Sequence, residues 1–523
     1  MPKKITMKKL IYLTSLICFL AAGCKKDLDI VNPNAVTKQN FWKSAADAQQ
    51  GVNSIYSTLH REGLSRWLYF MTMIRSDEGY STSPNSAIIN IYDAFNITDY
   101  NDYLVTSVYQ DDYVGINRAN QVLDNVPGIE MDAALKQQLL GEAKFLRGFF
   151  YYNLATIYGN VPIMLHSPTP QDFPPTASQD SVFERAEADL ADAAANLPVS
   201  YNAGNAGRVT KGAAYALLGK AYMQQKKYAQ AQAAFQWLVE GDGKNLYSLV
   251  PDYRNNFIET AENNAESVFE WQNAVNPNDS HDDDAAPGSD NLNYGTSIPP
   301  FFAPSPVGFT DGQARRWTVW EFLQERTTDN KRDPRLAATY LYDSTDEQGP
   351  NFSLAFGRTW NSLGLQTDPS IQHGNITEVC FRKQLDDATM NGEVFHSGNN
   401  YRYIRLADVL LLYAEALNAQ GQTGAAYKYV DEVRARAGLA TLTVAKPGLS
   451  QTDFLLQLKH ERITELSGEG HRFEDLARWG DLGTGLSSRD AGFANFKKNR
   501  DEFMPIPQYD LDINPNLKQN PGY

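Results

Sequence analysis

The sequence predicts a mainly α-helical protein, with about four helix pairs forming a scaffold and a long, irregular, loop-rich insert that carries short strands. Three observations lead there. Apolar and small residues recur at helical spacing through two blocks of the chain. Two stretches within those blocks align with each other without gaps. Between the blocks, residues 245 to 400 lose the periodicity and gain Pro, Gly, Asn and Asp, the residues of turns and loops.

The elements follow in order. "SAADAQQGVNSIYSTL" opens with Ser44, a hydroxyl in the right place to cap a helix N-terminus, and then keeps its apolar and small residues on one face. "YQDDYVGINRANQVLDNV", "GEAKFLRGFFYYNLATIYG", "DSVFERAEADLADAAANL" and "AAYALLGKAYMQQKKYAQAQAAFQWLVE" continue the pattern. The second block runs from "RLADVLLLYAEALNAQG" through "AAYKYVDEVRARAG" to "DFLLQLKHERITELSGEGHRFEDLARWGD".

The helices also repeat. Tyr215, Leu218, Gly219 and Tyr222, followed by Ala231 and Phe235, have the tetratricopeptide spacing, in which small residues let paired helices touch and large ones fill the groove. Residues 411–429 laid over 217–235 align Ala425 with Ala231 and Tyr429 with Phe235, which predicts a second unit. Residues 142–158 with 179–197, and 453–466 with 470–479, are proposed as two more pairs.

The N-terminus has a different character. Lys3, Lys4, Lys8 and Lys9 precede "LIYLTSLICFL", an apolar run of eleven residues that is too short to span a bilayer as a helix. Ala21, Ala22 and Gly23 before Cys24 look like the lipobox of a bacterial lipoprotein, with Ala21 where leucine is usual. Residues 1–23 are therefore expected to be a signal peptide and Cys24 the lipid attachment site. Acyl chains there would hold the protein on a membrane without a transmembrane helix. With Cys18 removed and Cys24 acylated, Cys380 is the only thiol left, and no intramolecular disulfide is expected. Removing the four signal lysines from 47 basic residues leaves 43 against 62 acidic ones, a net charge of about −19. Nucleic acid is disfavoured as a partner, since phosphate binding needs clustered Lys and Arg.

Several motifs carry a family resemblance. They are "NFWKSAADAQQGVNSIYSTL", "RSDEGY", "INRANQVLDNV" and "EAKFLRGFFYYNLATIYGNVPIML", then "ESVFEW", "DPRL" and "YIRLADVLLLYAEALN", and finally "ERITELSGEGHRFEDLARWG" and "MPIPQYDLDINPNLKQNPGY". In this order and spacing the chain resembles the SusD/RagB family of Bacteroidetes outer-membrane lipoproteins, nearly end to end. Ser467 with Gly468 departs from the bulkier residue usual before the Glu-Gly pair. The resemblance implies a single SusD-like fold over 24–523, with an N-terminal part 24–240, a candidate ligand face in the insert 241–400 and a C-terminal part 401–523. It also implies a lipid-anchored protein on the outer face of the outer membrane. Such a protein captures oligosaccharide or polysaccharide and acts as the lid of a SusC-like TonB-dependent transporter. No cofactor is implied.

Sugar recognition favours a flat aromatic ring against the apolar C–H face, with Asn, Asp, Gln or Arg on the hydroxyl rim. Aromatics inside helical patterns, such as Phe149, Phe150, Tyr151 and Tyr152, are read as core. The candidates for ligand contact lie in polar surroundings: Tyr80, Tyr92, Tyr294, Trp317, Trp320 and Trp360. A partly buried loop anchor is the competing reading for each. Trp320, followed by "EFLQE", also reads as the start of a helix and a core residue.

Catalytic and metal motifs are not evident. "HDDDAAPGSDN" from His281 to Asn291 offers oxygen ligands for calcium but lacks the glycine and terminal glutamate of an EF-hand, so a solvated acidic loop is preferred. There is no HExxH pair, P-loop, G-x-S-x-G or Cys-rich spacing. Glu461 and Glu465 share a helix face beside Arg462 and are read as structural ion pairs. Two alternatives stay open: a peptide-capturing lipoprotein of the same family and a surface glycoside hydrolase, which needs a carboxylate pair across a scissile bond.

Overall fold

Ser44 caps the first helix as its sequence predicts: its side chain accepts from the Asp47 backbone N–H, and the Asp47 carboxylate accepts in return from the Ser44 backbone. The computed structural model describes residues 41–81, 87–275, 295–341, 354–359, 362, 379–390, 392–393 and 395–523. Helices of eight residues or more among them are α1 Ala45–Tyr56, α2 Tyr103–Asn125, α3 Ala133–Ile157, α4 Gln179–Asn196, α5 Lys211–Gln224 and α6 Tyr228–Val239. They continue with α7 Arg316–Leu323, α8 Leu406–Ala419, α9 Thr423–Arg436, α10 Gln451–Leu466 and α11 Arg472–Trp479. Asp102, Asp132, Ser178, Thr210 and Ser450 cap α2, α3, α4, α5 and α10 through side-chain acceptors.

Each long helix packs on the next, α2 on α3 and so through α4, α5 and α6; α6 then meets α8, and α8 meets both α9 and α10. The pairs α3–α4, α5–α6 and α8–α9 are the predicted units. The fourth is looser. Its first helix, α10, lies against α7, α8 and α9, while α11 turns onto α5 and the short helix Leu68–Ile74. An ion pair from Arg462 to Asp475, 2.6 Å, links α10 to α11.

Small residues set how closely the helices approach. A Cβ on Gly219 would stand 2.3 Å from the Phe235 ring across the α5–α6 contact, and one on Gly115 would stand 2.2 Å from Phe150 across α2–α3. Both rings are fully buried, with no room to withdraw. Gly219→Ala is therefore expected to destabilise the protein by about 1–3 kcal/mol, although alanine is the better helix former by roughly 1 kcal/mol. A lower urea midpoint with an unchanged m value would be the observed result.

Strands are short, as expected. β1 Ser267–Trp271 and β2 Tyr401–Arg405 pair antiparallel, with Trp271 opposite Tyr401 and Ser267 opposite Arg405. β2 runs directly into α8, so Arg405 ends a strand and begins a helix. Two-residue strands pair Gly79–Tyr80 with Gln313–Ala314 and Tyr340–Leu341 with Cys380–Phe381. The insert also holds α7 and the short helices Ile298–Phe302 and Pro334–Thr339. Helices of eight residues or fewer complete too few turns for a periodic pattern to stand out. One continuous apolar cluster runs from Ala48 to Ile506, joining both helical blocks and the insert. No described helix is long and apolar enough to cross a membrane.

Candidate ligand-binding site

The short strand pair brings Tyr80 to α7. Tyr80 lies opposite Gln313, the Arg315 N–H donates to the Glu78 carbonyl at 2.7 Å, and α7 begins one residue later. Trp317 and Trp320 stand three apart on α7, hence on neighbouring positions of one helix face. Tyr80 and Trp317 are half-buried, and Trp320 is 38% exposed. The three aromatic residues therefore lie on one short strand pair and the helix that follows it, none of them fully buried.

Arginines back two of those rings. The Arg315 guanidinium lies 4.0 Å from the Tyr80 centroid, and that of Arg489 4.2 Å from Trp317, each within cation–π range. Buried carboxylates hold the arginines in turn. Arg315 donates to Asp490 at 2.6 Å and to Asp93 at 3.1 Å. Arg489 reaches Asp77 at 3.2 Å, and Arg472 grips the same carboxylate through two bonds of 2.6 and 2.9 Å. Trp317 Nε1 donates to the Asp77 carbonyl. Burial, with Asp490 beside it, pushes the Asp93 carboxyl up to about 8 against the pull of Arg315. This carboxylate pair sits behind Tyr80 at 7% and 1% exposure and is not open to a ligand.

Next to Asp77, Glu78 is fully buried, and the Ser467 hydroxyl donates to its carboxylate and contacts the Tyr340 hydroxyl. The departure from the family pattern at Ser467 thus supplies a polar link between the first block and the end of α10. Burial pushes Glu78 up to about 7. A carboxyl raised in the folded state contributes stability below its unfolded value, near 4.5, that is lost as pH rises toward 7, roughly 3 kcal/mol in all. Glu78→Gln cannot titrate. Its melting temperature relative to the parent protein is therefore expected to improve steadily between pH 5 and pH 8.

Of the candidates, Tyr80 lies on the strand paired to the residues just before α7, and Trp317 and Trp320 lie on α7 itself. Tyr92 does not join them. It is fully buried, with its hydroxyl donating to the Asp102 carboxylate, and so belongs to the core. "NIYDAF" reads as a polar loop, yet it forms the short helix Ala87–Asp93, where one internal acceptor is enough to bury a tyrosine. Trp320 also differs from its helix-core reading, since it sits mid-helix and partly exposed. Tyr294, Trp360, Cys24 and the acidic loop 281–291 lie outside the described residues. Sequence reasoning missed Arg315 and Arg489, although "ARRW" placed Arg315 two residues before Trp317.

The acidic stretch of α10 is structural. Glu465 accepts from Arg335, Arg405 and Arg436, and Glu461 from Arg434 and Gln457. Glu325, His460 and Glu461 bring one ligand-type atom each within 4.8 Å of the others. The Arg434 guanidinium already bridges both carboxylates, and His460 Nδ1 lies 2.7 Å from Glu321, so an arginine occupies the place a metal ion would need.

Comparisons with known proteins agree along the whole chain. A family model described as the SusD family matches residues 216–523, and one described as starch-binding associating with outer membrane matches residues 28–223. A SusD-like protein of Formosa agariphila is 24% identical, over 97% of this chain and 98% of its own length. Among solved structures, a SusD superfamily protein from Bacteroides vulgatus superposes with a TM-score of 0.79 at 25% identity, covering 92% of this chain and all of that one. A laminarin-binding SusD-like protein gives 0.74 at 28% identity, again covering 92% of this chain and all of the other. With its helix pairs, its loop-rich insert and a family model matched over residues 216–523, the chain belongs to the SusD/RagB family, whose members bind carbohydrate and associate with the outer membrane.

Proposed function

We propose that this protein captures oligosaccharide at the Tyr80–Trp317–Trp320 patch and passes it to a SusC-like TonB-dependent transporter, over which it closes as a lid. Cys24 would carry the lipid that ties it to the outer membrane, facing the cell exterior. The observation that carries this reading is the placement of three incompletely buried aromatic rings on one strand pair and the helix that follows it, two of them lying against arginines that buried carboxylates hold. Rings held rigid before binding lose little conformational entropy when a sugar stacks on them. Tyr294 and Trp360 are proposed as further contacts.

The protein is read as a binder and not an enzyme, because the carboxylate pairs nearest the patch are buried and committed to arginines. Native affinity electrophoresis of soluble protein from Lys25 onward tests this, run through gels containing starch, fructans, hemicelluloses, pectins, host glycans and fungal glucans in turn. Laminarin is the first to add, given the laminarin-binding structural relative. Retardation in one gel with no release of sugar is the expected result. Release of reducing sugar would favour the hydrolase reading. Failure in every gel, with peptides binding instead, would favour peptide capture.

A further inference from the structure

Buried arginines of this fold repeatedly grip a carboxylate through the same edge, Nε with Nη2. Arg472 holds Asp77 this way at 2.6 and 2.9 Å, Arg478 holds Glu415 at 2.8 and 2.9 Å, and Arg147 holds Asp189 at 2.8 Å through each nitrogen. The two N–H groups of that edge are parallel and match the two oxygens of a carboxylate. In all three pairs both partners are buried, so the edge is closed to any ligand.

Arg489 presents the same edge with nothing on it. Its guanidinium lies 4.2 Å from the Trp317 centroid, and its one hydrogen bond runs from Nη1 to Asp77 at 3.2 Å. Among the described residues, Nε and Nη2 have no hydrogen-bond partner. The side chain is 40% exposed, so a ligand can reach it. Its counter-charge is also shared, because Arg472 already takes both oxygens of Asp77. The other carboxylate that feels Arg489 is Glu321, which lies 2.7 Å from His460 Nδ1. Arg315, beside Tyr80, differs: it commits Nε to Asp490 and Nη2 to Asp93. Arg315 therefore only braces its ring, whereas Arg489 sits beside its ring with two donors to offer.

We propose that the captured glycan is acidic, and that Arg489 pairs through Nε and Nη2 with the anionic group of a sugar, a carboxylate or a sulfate ester, whose ring lies against Trp317. This rests on the capture reading above and adds the substrate class to it. A hydroxyl group accepts one of the two parallel donors and brings no charge. An anionic group accepts both, in bonds about twice as strong as neutral ones. The soluble protein from Lys25 onward has 43 basic against 62 acidic residues, a net charge of about −19. Its overall field repels an anionic polymer, so binding of one depends on a local cation.

Native affinity electrophoresis of the soluble protein tests this with polygalacturonate, alginate and hyaluronate as carboxylate polymers, dextran sulfate and carrageenan as sulfate esters, and starch and laminarin as neutral ones. Retardation by an acidic polymer is expected, and which kind retards the protein identifies the anionic group. Methyl esterification of the carboxylate polymer, or desulfation of the sulfated one, should weaken binding at least about tenfold in calorimetric titration. Arg489→Gln should lose a similar factor against the acidic polymer, bind the neutralised polymer as the parent does, and remove the fall in affinity that added NaCl causes in the parent. A purely structural role for Arg489 would leave that salt dependence in place. Arg489→Lys keeps the charge without the fork and should recover only part of the affinity. If Arg489→Gln does not fold, the acidic polymer and its neutralised form decide the matter on the parent protein. Retardation by neutral polymers alone, equal affinity for the acidic and neutralised forms, or a folded Arg489→Gln variant that binds the acidic polymer like the parent would each overturn the proposal and leave glycan capture standing. No retardation by any of the polymers would overturn capture itself, and the acidic-glycan proposal with it.

Discussion

Trp317→Ala is expected to weaken binding of the cognate polysaccharide about tenfold or more, which corresponds to roughly 1.4 kcal/mol or above. The indole has the Arg489 guanidinium 4.2 Å and that of Arg472 5.4 Å from its centroid, and its Nε1 donates a hydrogen bond to the Asp77 carbonyl. Removing it deletes a stacking surface and also frees Arg489, whose side chain is 40% exposed and held between Trp317 and Asp77. Trp317→Phe separates these contributions. It keeps a flat ring and loses the hydrogen bond, so it should retain most of the affinity if stacking dominates. Tyr80→Ala should act in the same direction, and the two losses should not simply add, because Tyr80 and Trp317 would contact one ligand. Isothermal titration with the polysaccharide identified by electrophoresis provides the readout, and unchanged melting temperatures would show that the loss is local. Full affinity in the Trp317→Ala and Tyr80→Ala variants alike would place the glycan elsewhere on the protein.

Arg405→Ala is expected to destabilise the fold by about 3–5 kcal/mol, the range for leaving buried charges without their partner. Its fully buried guanidinium donates to Glu469 at 2.7 and 2.8 Å, to Glu266 at 2.7 Å, and to both the carboxylate and the backbone carbonyl of Glu465. These partners come from the approach to β1, the end of α10 and the turn after it, so one side chain ties the insert to the scaffold. Arg405→Lys keeps the charge but has one nitrogen where the guanidinium has three, and it should recover only part of the stability. Burial alone would raise Glu465, yet Arg436, Arg405 and Arg335 outweigh it and hold its carboxyl well below the usual range; the same balance, through Arg405 and Lys383, lowers Glu469. A depressed carboxyl contributes stability that is fully present above its unfolded value, near 4.5, and is lost as pH falls below it. Chemical denaturation between pH 7 and pH 3 should therefore show a steep acid loss in the parent protein. The Arg405→Ala curve should be much flatter.

The sequence by itself determined the helical scaffold and its repeat. Capping at Ser44 and the Gly219–Phe235 contact depend on residues close in the chain, where spacing alone says which side chains meet, whereas the arginines that pair with Glu461 and Glu465 come from other elements. Family membership was legible for a related reason, since the motifs lie in a fixed order along the whole chain. Only the tertiary structure decided which aromatics reach the surface. Tyr80 meets Gln313, Asp77 meets Arg472 and Ser467 meets Glu78, across separations of more than two hundred residues that no local pattern encodes. Distant contacts of this kind also set Arg315 and Arg489 against the Tyr80 and Trp317 rings. A side chain's periodicity states which face of its own helix it occupies, whereas its exposure depends on what the rest of the chain lays over that face.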